Sequence, residues 1–136
     1  MDIKRGLFRL PDQRVGEDTI FATNTSSLSI SQLSSDMAYP ERFVGIHFFN
    51  PVHKIELVEV VWGVGTSEVT RTQIVEFLEA IGKYPILVRD SPGFASPRLG
   101  MVLCLEAIRV VEARVARPED IDKAMKAGAG LPMGPL

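Results

Sequence analysis

The sequence predicts an α/β domain joined to an all-α segment, with the change near residue 90. Short apolar strands alternate with helical stretches up to that point, and only helical patterns follow it. The chain has 136 residues, of which 46% are hydrophobic and 24% charged, as is typical of a globular protein. We therefore expect two domains, residues 1–90 and residues 91–136.

Four stretches read as strands because they are short and mostly rich in β-branched or aromatic residues. They lie at residues 19–23, 42–49, 55–62 and 85–89. The second and third are separated by a turn that contains Asn50 and Pro51, so they are expected to pair.

Helical patterns lie before, between and after these strands. They cover residues 1–13, a short stretch after residue 29, residues 67–81, a stretch from the break at 90–93 to 116, and a stretch from 118 to the cap at 128. Ser29 and Gln32 have the spacing of a capping box, and Gly82 is expected to stop the third helix. Pro118 at the first position and Gly128 at the cap mark the last one.

The helix that ends near residue 116 has a narrow polar stripe, formed by Glu106, Arg109 and Glu112. Such a stripe predicts that the helix is buried on most sides. Residues 91–136 are too few to bury such a helix, and about four strands need further neighbours. We therefore expect the chain to be a segment of a larger protein.

The charge balance excludes some classes of protein. Fifteen Lys and Arg against 17 Asp and Glu make a nucleic-acid binder steered by net charge improbable. The single cysteine, Cys104, excludes an internal disulfide and suits a reducing compartment. The sequence shows neither a signal peptide nor a stretch long enough to span a membrane. We expect a soluble, cytoplasmic protein.

His47 and Glu59 form the strongest chemical signal. If the strands at 42–49 and 55–62 are an antiparallel hairpin, residues whose numbers sum to 106 face each other, and these two are opposed. A carboxylate between valines is costly unless it is paired, and a carboxylate partner orients a histidine as a general base. The alternative is a cross-strand ion pair on a partly exposed hairpin.

Two further groups of residues have weaker signals. Asn24–Ser27 follows a buried strand, where small polar side chains can bind a polar ligand, but the same residue types commonly form a turn and a helix cap. His53 falls at the expected turn and is interpreted as solvated. Two histidines without a cysteine partner make a poor zinc site, so no metal is expected.

The stretch Gly63–Glu68 imitates a dinucleotide-binding loop because it follows a strand and opens a helix. It lacks the third glycine, and Glu68 would place a negative charge where the pyrophosphate of a dinucleotide rests. The glycines at 128 and 130 follow a helix, which is the wrong context. The sequence thus contains no convincing dinucleotide fingerprint.

Six short motifs occur in a characteristic order and with characteristic gaps. They are ATNTSSL at 22–28, GIHFFNPV at 45–52, LVEV at 57–60, DSPGF at 90–94, EDID at 119–122 and GAGLPMGP at 128–135. Together they resemble the 3-hydroxyacyl-CoA dehydrogenase family over nearly the whole chain. The resemblance implies the second half of a Rossmann-type NAD-binding sheet over residues 1–90, followed by the start of a helical domain that forms a homodimer.

The resemblance also implies an activity and a set of site residues. The reaction is the NAD-dependent oxidation of the 3-hydroxyl of an acyl-CoA to a 3-ketoacyl-CoA, in the β-oxidation of fatty acids. His47 would be the general base and Glu59 its orienting partner. Ser26 and Asn50 would contact substrate and cofactor, and Lys4 would contact the cofactor.

The chain departs from the family pattern in three respects. The glycine-rich loop would lie before Met1, and the helices that complete the dimer interface would lie beyond Leu136, so the chain is expected to be a central portion. Pro97 stands where the family has a substrate-binding asparagine, and Ser96 is expected to cap the helix there. The alternatives are a non-catalytic remnant that binds an acyl-CoA or a partner, and a structural protein on the same fold.

Overall fold

The fold of the chain follows from a computed structural model, which describes residues 1–9 and 15–136. The chain forms two compact units, Met1–Phe94 and Ala95–Leu136. The first contains a four-stranded sheet with helices, and the second contains two helices. The predicted fold class, an α/β sheet followed by helices, is confirmed.

The four strands lie within the predicted stretches, apart from one extra residue at the start of β4. They are β1 (Phe21–Thr23), β2 (Phe43–Phe48), β3 (Leu57–Trp62) and β4 (Tyr84–Arg89). Their order in the sheet is β1-β2-β3-β4. β1 is parallel to β2, β2 is antiparallel to β3, and β3 is parallel to β4. The predicted antiparallel pairing of the second and third strands is therefore correct.

The five α-helices within residues 1–9 and 15–136 also agree with the predicted stretches. They are α1 (Asp2–Arg9), α2 (Ile30–Ser34), α3 (Glu68–Ala80), α4 (Ser96–Glu112) and α5 (Pro118–Ala127). Residues 10–13 of the first predicted helix lie outside the described residues. Ser29 caps α2 by accepting a hydrogen bond from the Gln32 N–H, and Gly82 ends the α3 region with a φ of 75°.

The sheet separates two apolar clusters, one on each face. The first combines residues of the strands and of α2, among them Phe21, Ile30, Leu33, Phe43 and Val61. The second combines residues of the strands and of α3, among them Val44, Val58, Val60, Ile74 and Leu78. Alternate residues of a strand point to the same face, so His47 lies on the face of Phe43 and α2.

Gly45 allows α2 to lie close to that face of the sheet. A Cβ at this position would lie 2.5 Å from Cδ1 of Ile30 and 3.1 Å from Cβ of Val61. A side chain would therefore push α2 away from the strand that carries His47.

The second unit bears on two expectations. Within it, only Ala107 and Ile121 are buried apolar residues, so this chain alone does not bury α4, as expected from the small number of residues in 91–136. The large exposed apolar residues of α4 are Leu99, Met101, Val102, Leu105 and Ile108. Ser96 was expected to cap α4 but is its first residue, and Ala95 is the cap. Pro97 lies in the first turn, where proline is tolerated. None of the helices in the described ranges is long and apolar enough to cross a membrane.

Candidate active site

The predicted pair of His47 and Glu59 is formed as the residue numbering indicates. The two residues face each other in the register of β2 and β3. The Nδ1 atom of His47 lies 2.7 Å from Oε2 of Glu59. His47 is 6% exposed and Glu59 is fully buried, so the alternative of a partly exposed hairpin is wrong.

The burial of Glu59 defines the chemistry of the pair. Its neighbours along β3, Val58 and Val60, are fully buried, so the carboxylate depends on polar partners within the protein. An ionised carboxylate only accepts hydrogen bonds, so Nδ1 of His47 carries the hydrogen and donates it. This tautomer leaves Nε2 with a lone pair, which is the atom that can take a proton from a ligand.

Two aromatic rings contact the imidazole of His47. The ring of Phe49 lies 4.6 Å away between centroids, and the ring of Phe94 lies 6.0 Å away. Phe94 is 4% exposed and has a φ of 49°, which is unusual for a bulky residue. The sequence indicated Phe94 only as part of a motif and gave no reason to place its ring on His47.

The polar segment Asn24–Ser27 lies beside the strand of His47. It follows β1, and β1 runs parallel to β2. The backbone therefore leaves both strands at the same edge of the sheet. Oδ1 of Asn24 accepts a hydrogen bond from the Phe48 N–H at 3.3 Å, which fastens this segment to β2. Ser26 is exposed two residues further on.

The structure places Lys4 and Asn50 differently with respect to this segment. The Nζ atom of Lys4 donates to the Asn24 carbonyl at 2.6 Å and to Oγ1 of Thr23 at 3.3 Å. α1 thereby brings its ammonium group to the end of β1. Asn50 is exposed in the turn after β2, and no hydrogen bond between it and Ser26 is formed among the described residues.

The turn that carries Asn50 is held by a residue that the sequence did not single out. Nζ of Lys83 donates to the carbonyl oxygens of Val52 at 2.5 Å and Ile55 at 3.0 Å. Lys83 follows α3, so this contact ties the β2–β3 turn to a distant part of the chain. His53 is exposed in the same turn, in agreement with its interpretation as a solvated residue.

Asp90 is a second residue whose role the sequence did not reveal. Its Oδ2 accepts a hydrogen bond from the Ser29 hydroxyl at 2.8 Å and from the Ser31 N–H at 2.9 Å. Burial alone would raise the pKa of the Asp90 carboxyl. The hydrogen bonds from Ser31, Ser29 and Ile30 outweigh that effect and lower its pKa. The ionised carboxylate thus anchors the end of β4 to the start of α2.

Replacing Asp90 with asparagine is expected to lower the free energy of unfolding by about 1 kcal/mol at pH 7, because a charged acceptor is lost. The pKa of Asp90 is lowered by folding, so its contribution is complete above the ordinary value of 3.8. The contribution disappears as the pH falls through the lower pKa of the folded state. Urea denaturation of both proteins from pH 7 to pH 3 measures this, and a difference that stays constant over that range would contradict it.

The glycines at 63 and 65 serve the packing of the chain itself. A Cβ on Gly63 would lie 3.0 Å from the backbone nitrogen of Ser31, and one on Gly65 would lie 3.0 Å from Pro40. Close packing against Ser31 and Pro40 is therefore a structural reason for glycine at both positions. The described residues also contain no group of three or more His, Cys, Asp or Glu that could hold a metal ion.

Sequence and structure comparisons agree on the relatives of this chain. The family profile described as "3-hydroxyacyl-CoA dehydrogenase, NAD binding domain" matches residues 1–91. The profile of the C-terminal domain of the same enzymes matches residues 93–136. The chain belongs to the 3-hydroxyacyl-CoA dehydrogenase family. The resemblance based on the six motifs is therefore confirmed.

Individual relatives of this family match the whole chain. It is 47% identical over 136 residues to the 3-hydroxybutyryl-CoA dehydrogenase of Clostridioides difficile and covers 48% of that protein. It is also 47% identical to the human mitochondrial hydroxyacyl-coenzyme A dehydrogenase and covers 43% of it. The crystal structure of (S)-3-hydroxybutyryl-CoA dehydrogenase from Ralstonia eutropha superimposes with a TM-score of 0.95 at 42% identity, and the match covers 100% of this chain and 48% of that one.

These matches refine the expected position of the chain within its family. The chain spans about half the length of the relatives that it matches. Residues 1–91 correspond to the NAD-binding domain and the remainder to the C-terminal domain. The description as a central portion is accordingly corrected to these two domains of a 3-hydroxyacyl-CoA dehydrogenase. The match to the NAD-binding domain supports NAD as the predicted cofactor.

Proposed function

We propose that this chain supplies the proton-transfer residues of an NAD-dependent 3-hydroxyacyl-CoA dehydrogenase, which oxidises the 3-hydroxyl of an acyl-CoA in fatty-acid β-oxidation. The observation that carries the proposal is the buried contact of 2.7 Å between Nδ1 of His47 and Oε2 of Glu59. A family member needs a general base near its substrate, and this imidazole is oriented by a carboxylate, as a general base requires.

The proposed roles follow from the atoms that each residue offers. In the oxidative direction, Nε2 of His47 takes the proton of the substrate hydroxyl while Glu59 stabilises the resulting imidazolium through Nδ1. In the reductive direction, the same imidazolium returns the proton. The exposed hydroxyl of Ser26 hydrogen-bonds the reacting oxygen. The side-chain amide of Asn50, in the turn after β2, lines the same cleft.

The residues at the edge of β1 fit the polar part of NAD. An exposed hydroxyl at Ser26 and the ammonium group of Lys4 lie on the segment that leaves the sheet beside His47. When bound, NAD supplies the acceptor for the hydride from C3 of the substrate. We assign Ser26 and Asn50 to both the substrate and the cofactor, and Lys4 to the cofactor. We also assign residues 1–90 to the NAD-binding domain and residues 91–136 to the helical domain.

The substrate class can be tested with a matched pair of compounds. The test uses a full-length 3-hydroxyacyl-CoA dehydrogenase in which these 136 residues replace the matching stretch. This enzyme is mixed with NAD and either 3-hydroxybutyryl-CoA or free 3-hydroxybutyrate, and NADH formation is followed by its absorbance. We expect turnover of the thioester and none of the free acid. Equal rates with both compounds would contradict the assignment to CoA thioesters, and no rate with either would contradict the proposed activity of this chain.

The exposed apolar residues of α4 favour a second function, the binding of a partner. Leu99 is 71% exposed and Val102, one turn further along the helix, is 58% exposed. Adjoining apolar surface of this kind marks interfaces. As a dehydrogenase subunit, the chain would form a homodimer. As a non-catalytic remnant, it would bind an acyl-CoA or another protein without turnover.

We retain the cytoplasm as the proposed location, although the human relative is named as mitochondrial.

A further inference from the structure

Phe94 has a backbone conformation that few bulky residues adopt. Its φ is 49°, it follows Gly93 with a φ of 74°, and its N–H donates to the Ser91 carbonyl at 2.9 Å. Left-handed conformations of non-glycine residues persist only where the surrounding structure holds them. Phe94 is 4% exposed, so it is the buried side chain that holds the backbone in this conformation.

The buried ring of Phe94 contacts the proposed catalytic histidine. The centroids of Phe94 and His47 are 6.0 Å apart, and the two rings are tilted by 58°. The same ring belongs to the apolar cluster of Phe43 and Val61, which lies on the face of the sheet that carries His47. Phe94 thus covers the imidazole with apolar surface, together with Phe49.

The other end of this short turn is attached to the segment that leads into α2. Asp90 accepts hydrogen bonds from the Ser29 hydroxyl and the Ser31 N–H, and Ser26 lies only three residues before Ser29. The five residues from Asp90 to Phe94 therefore contact the start of α2 at one end and the imidazole at the other.

We propose that the Asp90–Phe94 turn is a positioning element of the site, in which the ring of Phe94 fixes the imidazole of His47 and shields its bond to Glu59 from water. The catalytic consequence rests on the proposed function, but the shielding itself does not. Phe94 touches neither substrate nor cofactor in this account. It acts through His47 by restricting the motion of the ring and by excluding water from Nδ1.

A ring that merely fills the core would behave differently. Phe21 belongs to the same apolar cluster and is 9% exposed. Among the described aromatic rings, its contact is with Phe8 rather than with His47. Shortening either phenylalanine to alanine removes the same atoms from the same core, so Phe21→Ala is a matched control. Only Phe94→Ala is expected to alter the bond between His47 and Glu59.

The test uses the proton on Nδ1 of His47 as a spectroscopic signature. In the 136-residue chain, a proton held between imidazole and carboxylate and shielded from water gives a resolved downfield NMR resonance, which disappears in His47→Gln. We expect its exchange with water to accelerate by about tenfold or more in Phe94→Ala and to change little in Phe21→Ala. Phe94→Leu keeps apolar cover and is expected to lie between wild type and Phe94→Ala, which also provides a result if Phe94→Ala fails to fold.

Two results would overturn the proposal. One is a wild-type chain without the resonance, because the bond would then not be shielded. The other is equal exchange in the phenylalanine variants, because the ring would then be ordinary core. Turnover is measured separately in the full-length enzyme that carries the wild-type chain. Its absence would contradict the proposed function, while the exchange rates would still decide the role of Phe94.

Discussion

Replacing His47 with leucine is expected to lower the free energy of unfolding by about 3–5 kcal/mol, because a buried carboxylate then loses its ionic partner. Glu59 is fully buried between two buried valines, so water cannot replace the imidazole. Urea denaturation at pH 7, followed by circular dichroism, measures this change.

The matched control is the double variant His47→Leu with Glu59→Leu. It removes both polar groups and leaves apolar side chains in an apolar sheet, so most of the lost stability is expected to return. The double variant would then be more stable than the His47→Leu variant alone. If Glu59→Leu instead lowered the free energy of unfolding further, the buried carboxylate would not depend on His47. The dependence of the pair on both partners would then be wrong.

The position of His47 opposite Glu59 could be predicted from the sequence because strand geometry is strict. Side chains alternate between faces, and a hairpin fixes which residues are opposed. The prediction needed only the turn at Asn50 and Pro51, and the observed register has the same pairs. The helices were also predictable, since their caps and glycine stops are local signals.

The contacts made by Asp90, Lys83 and Phe94 could not be predicted in this way. Asp90 bonds Ser29 over 61 positions, and Lys83 bonds Val52 over 31. Such contacts depend on how distant parts of the chain meet, which no local pattern encodes. The exposure of α4 could be anticipated only from the length of the second segment, because a narrow polar stripe tells which residues are apolar but not which part of a protein covers them.

Replacing His47 with glutamine is expected to reduce turnover by about 10²- to 10⁴-fold, which is the usual contribution of a general acid or base. Glutamine has an amide N–H that can donate to Glu59, so the carboxylate keeps a donor and the fold is retained. The amide has no basic nitrogen, however, and cannot take the substrate proton. The loss should therefore fall on kcat, with little change in KM.

Proton transfer by His47 is tested by the oxidation of NADH, with acetoacetyl-CoA as the second substrate, in the full-length enzyme that carries this chain. Wild type and His47→Gln are compared at the same high protein concentration, and circular dichroism verifies that both are folded. We expect turnover by the wild type that is lost in the variant. Equal turnover by the two folded proteins would contradict this expectation, because the proton would then be transferred without His47.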